Sequence, residues 1–175
     1  MMEQKYPIGK FTFNGDFSQS VLEEWIRDIE KLPHLVREAV QDLSQEQLDT
    51  PYRQGGWTIR QVVHHLADSH MNAYIRIKLA ITEHNPTIKP YEEAEWAKLP
   101  DYELPIDVSL KLLESLHQRW AYLLRNLKPD DLEKTFNHPD SGKNSIHLSI
   151  GTYSWHGKHH LAHITNLLQS KGWNR

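Results

Sequence analysis

Four histidines, His156, His159, His160 and His163, lie close together in the segment YSWHGKHHLAHI. In a helix each residue advances about 100°, so positions i and i+4 share a face. His156 and His160 can then hold one divalent ion between them, as the paired helical histidines of zincins do. The residue after His156 is Gly157, where a zincin carries its catalytic Glu, so this is not an H-E-x-x-H motif and a general base must come from elsewhere. Gly157 costs about 1 kcal/mol of helix propensity relative to Ala, a cost that room for a ligand or close helix packing would each explain.

Two ligands make a weak site, and the pair His64-His65 in VVHHLAD is the obvious source of a third. Their side chains diverge by about 100°, so only one can face a given point. His65 sits beside the Val62–Ser69–Ala73 edge of an apolar stripe and His64 lies further towards the polar side, so the wheel favours His65. Asp68 follows His65 by three residues and is a candidate acceptor for orienting its imidazole. Tyr153, inward-facing one turn before His156, is a candidate substrate or solvent contact. Trp57 and Trp155 are candidate pocket walls, and no catalytic acid or base is assigned beyond Asp68 and Tyr153 as weak candidates. His159 points towards solvent or a neighbouring chain on this wheel. Taken singly, a histidine is ordinarily a hydrogen-bonded core or surface residue, and His34, His70, His84 and His117 are read that way.

The elements that must position these residues are helical. Residues 16–44 form a helix or a kinked pair, with Ser20 and Glu23 at capping-box spacing, a stripe from Leu22 to Leu43, and an interruption at Pro33. A second helix opens at Thr58 and Gln61, again at capping-box spacing, and runs about 25 residues with Ile59, Val62, Val63, Leu66, His70, Ala73, Ile77 and Ile81 on one face. A proline-rich connection over 84–105 holds a short helical turn around Glu92–Lys98. A third helix at about 107–127 buries Leu113, Leu116, Trp120, Leu123 and Leu127. A second long connection leads to a fourth helix at about 147–170, stopped by Gly172. No strand-period alternation competes with these helices. The expected fold is all-α, a four-helix bundle in one domain spanning 1–175, with long crossover-type connections.

With 175 residues, 38% of them hydrophobic and 25% charged, the chain is long enough for a substantial core. A net charge of -3 argues against a broad basic surface for nucleic acid. No apolar run approaches the roughly 18–20 residues of a membrane helix. The opening MMEQKYPIGK lacks the layout of a secretory signal, so the expected location is cytoplasmic. With no cysteine, disulfides, Cys-ligated zinc and a cysteine nucleophile are excluded.

The motifs GWTIRQVVHHLAD and HGKHHLAHI, in this order and spacing, resemble the signatures of the DinB/YfiT-like superfamily over most of the chain. That resemblance implies a four-helix bundle with unusual connectivity and a divalent metal held by three histidines. Carried over by position, these are His65, His156 and His160, one ion per chain, with zinc or nickel expected. It also implies a homodimer acting on a small-molecule substrate. Many relatives carry Arg-Gly-Gln after the final ligand, whereas this chain has Leu161-Ala162-His163. His163 therefore occupies a non-ligand position and is a candidate to touch a ligand or substrate.

Three neutral imidazoles leave positions open on the ion, which favours chemistry over a closed structural site. Bound water can fall in pKa from about 15.7 to about 7, so metal-dependent hydrolysis follows. The same ion could instead activate an external low-molecular-weight thiol as an S-transferase, an activity found among relatives. A third reading is a non-catalytic binding module stapled by its metal, which a bundle of this size should not need.

Overall fold

Four long helices carry the fold of the computed structural model, which describes residues 2–173. They are α1 (Gln19–Val40), α2 (Ile59–Thr82), α3 (Ile106–Arg125) and α4 (Ile146–Lys171). A helix start leaves amides without partners, and polar side chains fill that need for three of the four. Thr58 and Gln61 form the expected reciprocal capping box on α2, and Ser145 accepts from the amide of Leu148 on α4. Gly172 ends α4 with a left-handed φ of 64°, which lets its amide reach back to the last carbonyls.

The start of α1 differs from the expectation. Ser18 caps it, accepting from the Val21 amide, and Ser20 lies inside the helix. The helix also continues through Pro33 as one element. Proline forfeits one backbone bond there, and the buried run of Ile29, Leu32, Val36 and Val40 on both sides holds the helix together. The segment that follows forms a separate turn, Gln45–Leu48, with its own capping box from Ser44.

The connections carry short elements of their own. Glu93–Trp96 is the expected helical turn, followed by a 3₁₀ turn at Pro100–Glu103. Beyond the turn Pro129–Leu132, the last connection holds an antiparallel hairpin, with strand β1 (Thr135–His138) paired to β2 (Gly142–Ser145). This corrects the reading that the chain has no strands. The strands are four residues long and only Phe136 is buried, so no apolar alternation marks them. Backbone bonds between Ile88 and Asn137, and between Asn137 and Pro86, fasten the hairpin to the earlier connection.

The main packing partners of α1 are α3 and α4, and those of α2 are also α3 and α4. Consecutive helices α1 and α2 therefore stand diagonally across the bundle, as do α3 and α4. The segments 41–58 and 126–145 have to cross the bundle, which accounts for their length. Two apolar clusters fill the interior, one around Trp25, Ile29, Ile77 and Trp120, the other around Val36, Val62, Leu66, Leu113 and Ile164. Between them lies a layer of histidines. On α3 the buried leucine near the end is Leu124, with Leu123 and Leu127 only partly buried. Among the described residues no helix is long and apolar enough to cross a membrane.

Trp120 is fully buried, while Tyr122, two residues on, is 74% exposed. Trp120→Ala is expected to cost about 3–5 kcal/mol in chemical denaturation. Tyr122→Ala should stay within about 0.5 kcal/mol of the parent. Equal losses would contradict this assignment of faces.

Candidate metal centre

The histidine layer draws side chains from α2, α3 and α4. His65 on α2 is 1% exposed, and His160 on α4 is also buried. Ring centroids of His65 and His160 lie 4.8 Å apart, those of His65 and His156 5.4 Å, and those of His156 and His160 4.5 Å. One nitrogen from each of the three falls within 4.8 Å of the others, close enough for a single ion. This brings together the residues that the helical wheel favoured. His159, His160 and His163 form a second such group and share His160 with the first.

Both groups line a cleft of about 330 Å³. Its walls include Tyr52, Arg53, Trp57 and Trp155, with Lys5 and Glu93 contributing charge. Trp57 sits 4.5 Å from His65 and Trp155 stacks on His159 at 4.6 Å, so both tryptophans are pocket walls as expected. Larger clefts, of about 660 and 700 Å³, lie elsewhere and contain no histidine. The donor set, not the volume, singles out the smaller one.

Burial without carboxylate partners makes these imidazoles weak bases. His65 is pushed down to about 4 by desolvation, helped by His159. His156 and His160 lie well below the ordinary histidine value for the same reason, followed by mutual repulsion with neighbouring rings. Neutral imidazoles are the form that binds a metal. Nδ1 of His65 is buried with no hydrogen-bond partner, a costly state that an ion in the centre of the group would relieve electrostatically or by direct ligation. The residues present therefore fit a divalent ion.

Several single-residue expectations change. His64 is buried, not polar-facing: its Nδ1 lies 2.7 Å from Ser109 Oγ and its Nε2 3.0 Å from the Leu104 carbonyl. The start of α3 and the 3₁₀ turn cover that side of α2, which a wheel drawn for one helix cannot show. Asp68 does not orient His65; it accepts a hydrogen bond of 2.7 Å from Tyr102, and burial raises its carboxyl. His159 is 7% exposed, covered by Trp155 and Tyr6 instead of facing solvent. Tyr153 packs behind the layer, 5.2 Å from His70 and 5.5 Å from His156, and burial raises its hydroxyl. His70 and His117 belong to the same layer, hydrogen-bonded to one another and, through His70, to His156. Their positions on the apolar stripes of α2 and α3 were the signal. Gly157 packs on Leu32, which an added Cβ would approach to 2.6 Å, so helix packing explains the glycine.

A helical bundle with diagonal connections and a histidine donor set shared by two of its helices defines a class of fold and site. Within that class, the chain belongs to the DinB superfamily, whose family model matches residues 28–164. It is 63% identical to "Putative metal-dependent hydrolase OB0782" of Oceanobacillus iheyensis, over 98% of this chain and all of that one. It is 59% identical to another protein so named from Bacillus mycoides, over 99% of this chain and all of that one. Among solved structures it resembles YfiT from Bacillus subtilis, described as "a probable metal-dependent hydrolase with an unusual four-helix bundle topology". The TM-score is 0.95 at 45% identity, covering 98% of this chain and 99% of that chain. The four-helix bundle protein TT2238 shares the fold, with a TM-score of 0.60 at 18% identity over 85% of this chain and 98% of that chain.

His117 lies outside the candidate ligand set, and burial pushes it to about 4, against a pull upward from its bond to the Ile29 carbonyl. Unfolded, it titrates near 6.5. Between those values the unfolded chain binds a proton that the folded one refuses, so stability falls as pH drops from about 6.5 to about 4 and is level above. Urea denaturation of metal-free protein at several pH values should show this loss. In His117→Gln the loss should be shallower by about 1 kcal/mol per pH unit. An unchanged slope would contradict the assignment.

Proposed function

We propose that the protein is a metal-dependent hydrolase of a small-molecule substrate, with one divalent ion, zinc or nickel, held by His65, His156 and His160. The observation that carries this is the convergence of three nitrogens within 4.8 Å at a cleft open to solvent. The names given to relatives of the same length support it. The alternative group is disfavoured because both ring nitrogens of His163 are already engaged, one with His160 and one with the Lys5 carbonyl. A divalent ion bound by three neutral imidazoles supplies Lewis acidity at an open coordination position.

The chain's own residues supply the rest. Trp57 and Trp155 wall the cleft and limit water around the reacting bond. Glu93, on the turn Glu93–Trp96, is the carboxylate among the described cleft residues, and burial raises its pKa despite the opposing charge of Arg76. A carboxylate at the edge of the cleft can take a proton from a reacting water. In this reading Glu93 is the general base that the sequence left unassigned.

Metal analysis of untagged variants tests the ligand set. His65→Ala, His156→Ala and His160→Ala should each lose the bound ion, while His64→Ala keeps it and loses about 1–3 kcal/mol of stability. Retention of the ion by all four would overturn the site. Once a substrate is found among esters, amides and thiol acceptors, Glu93→Gln should lower kcat by about 10²–10⁴-fold with metal content intact. Wild-type kcat in that variant would remove Glu93 from the reaction.

A further inference from the structure

Two hydrogen-bond chains run from the α4 histidines to backbone carbonyls, and their ends set their direction. In the first, His156 Nδ1 lies 3.1 Å from His70 Nε2, and His70 Nδ1 lies 2.9 Å from His117 Nε2. His117 Nδ1 then bonds to the carbonyl of Ile29 on α1. A carbonyl oxygen only accepts, so the proton sits on His117 Nδ1. A neutral imidazole has one N–H, so His117 Nε2 accepts from His70 Nδ1–H. By the same count, His70 Nε2 accepts from His156 Nδ1–H. The bare nitrogen of His156 is therefore Nε2. His70 and His117 are 0% and 1% exposed, and among the described residues no carboxylate hydrogen-bonds to either, so the neutral count applies.

The second chain has the same logic. His163 Nε2 lies 3.2 Å from the Lys5 carbonyl, to which it must donate. His163 Nδ1, 3.4 Å from His160 Nδ1, is then the acceptor. His160 carries its proton on Nδ1, and its bare nitrogen is again Nε2.

We infer that these chains are tautomer locks: His70 with His117, and separately His163, hold His156 and His160 in the Nδ1–H form so that both present Nε2 to one ion. The inference rests on the three-histidine reading for what the bare nitrogens serve. In the other tautomer a proton would occupy the position where the ion needs a lone pair. Metal-bound histidines usually donate their second nitrogen to a carboxylate, a carbonyl or water. Here neutral imidazoles relay that role to the backbone, so no carboxylate among the described residues bonds to the second nitrogen of His156 or His160. His70, His117 and His163 are positioning residues, acting through the ligands.

Long-range ¹H–¹⁵N correlation spectra of the metal-free wild-type protein read the tautomers directly. The expected pattern is Nδ1–H at His156, His160, His70 and His117, and Nε2–H at His163. Zinc affinity by chelator competition gives a second readout. His70→Phe, which keeps ring volume alone, should bind zinc about 10–100-fold more weakly. His70→Gln should bind near the wild-type level, because one amide group supplies an acceptor for His156 and a donor for His117. Nε2–H at His156 and His160 in the wild type, or full affinity in a folded His70→Phe, overturns the locks. If His65→Ala binds zinc like the wild type, the three-histidine reading fails and the purpose of the locks fails with it. If His65→Ala loses zinc while the wild-type spectra show Nε2–H, the locks alone fail.

Discussion

A layer of largely buried imidazoles crosses the middle of the bundle, and much of the structure is arranged around pairing its rings, Nδ1 of His65 excepted. Burying a polar ring without a partner costs several kcal/mol relative to water when nothing in its surroundings can hydrogen-bond. The chain meets this by linking ring to ring until a backbone carbonyl closes the run, at Ile29 on one side and Lys5 on the other. All four helices take part: α1 supplies a carbonyl, α2 gives His65 and His70, α3 gives His117, and α4 gives His156, His160 and His163. The apolar core is divided as a result, with one cluster on each side of the layer.

The diagonal topology serves the same constraint. Because α1 and α2 each pack mainly on α3 and α4, the face of α4 that bears histidines meets α2 while its glycines meet α1. Gly151 lies against Trp25, and Gly157 lies against Leu32. A side chain at either position would push α4 away from α1 or force the α1 side chains to move. Beside these contacts, Asp28 on α1 accepts from both Ser154 and Lys158 of α4. The α1–α4 seam is therefore close and polar at its edge, and α4 is held in a fixed rotation. That rotation decides which histidine nitrogens converge.

The cleft is where this interior layer reaches solvent. The residues around it come from distant parts of the chain: Lys5, the turn around Tyr52 to Trp57, Glu93, and α4. Arg53 and Lys5 lie on the same rim as Glu93, so charge of both signs borders the donor set. The crossing segment 41–58 supplies most of the loop walls, and the connection 83–105 between the neighbouring helices α2 and α3 adds Glu93. A site built this way has a scaffold of packed helices beneath and variable loops above, the usual division between positioning and specificity.

Much of this was legible in the sequence. Capping residues at Thr58 and Gly172, the apolar stripes, and the i, i+4 spacing of His156 and His160 follow from local periodicity, which a single helix expresses by itself. The favoured third residue, His65, also came from the wheel, because one side of α2 is plainly apolar. What the wheel could not supply is the identity of the neighbour on each face. His64 and His159 read as polar-facing, yet Leu104, Ser109, Trp155 and Tyr6 cover them. Asp68 looked like a partner for His65 by spacing, but Tyr102 takes it. The short hairpin had too little buried surface to leave a pattern. His70 and His117 show the division most clearly: as single residues they are ordinary core histidines, and only when α2, α3 and α4 pack together do their nitrogens line up into one directed chain. Sequence determined which faces are apolar and where helices begin and end, since those depend on near neighbours. Tertiary packing decided which nitrogen meets which, because a hydrogen bond depends on position to a few tenths of an ångström, and that is set by several helices at once.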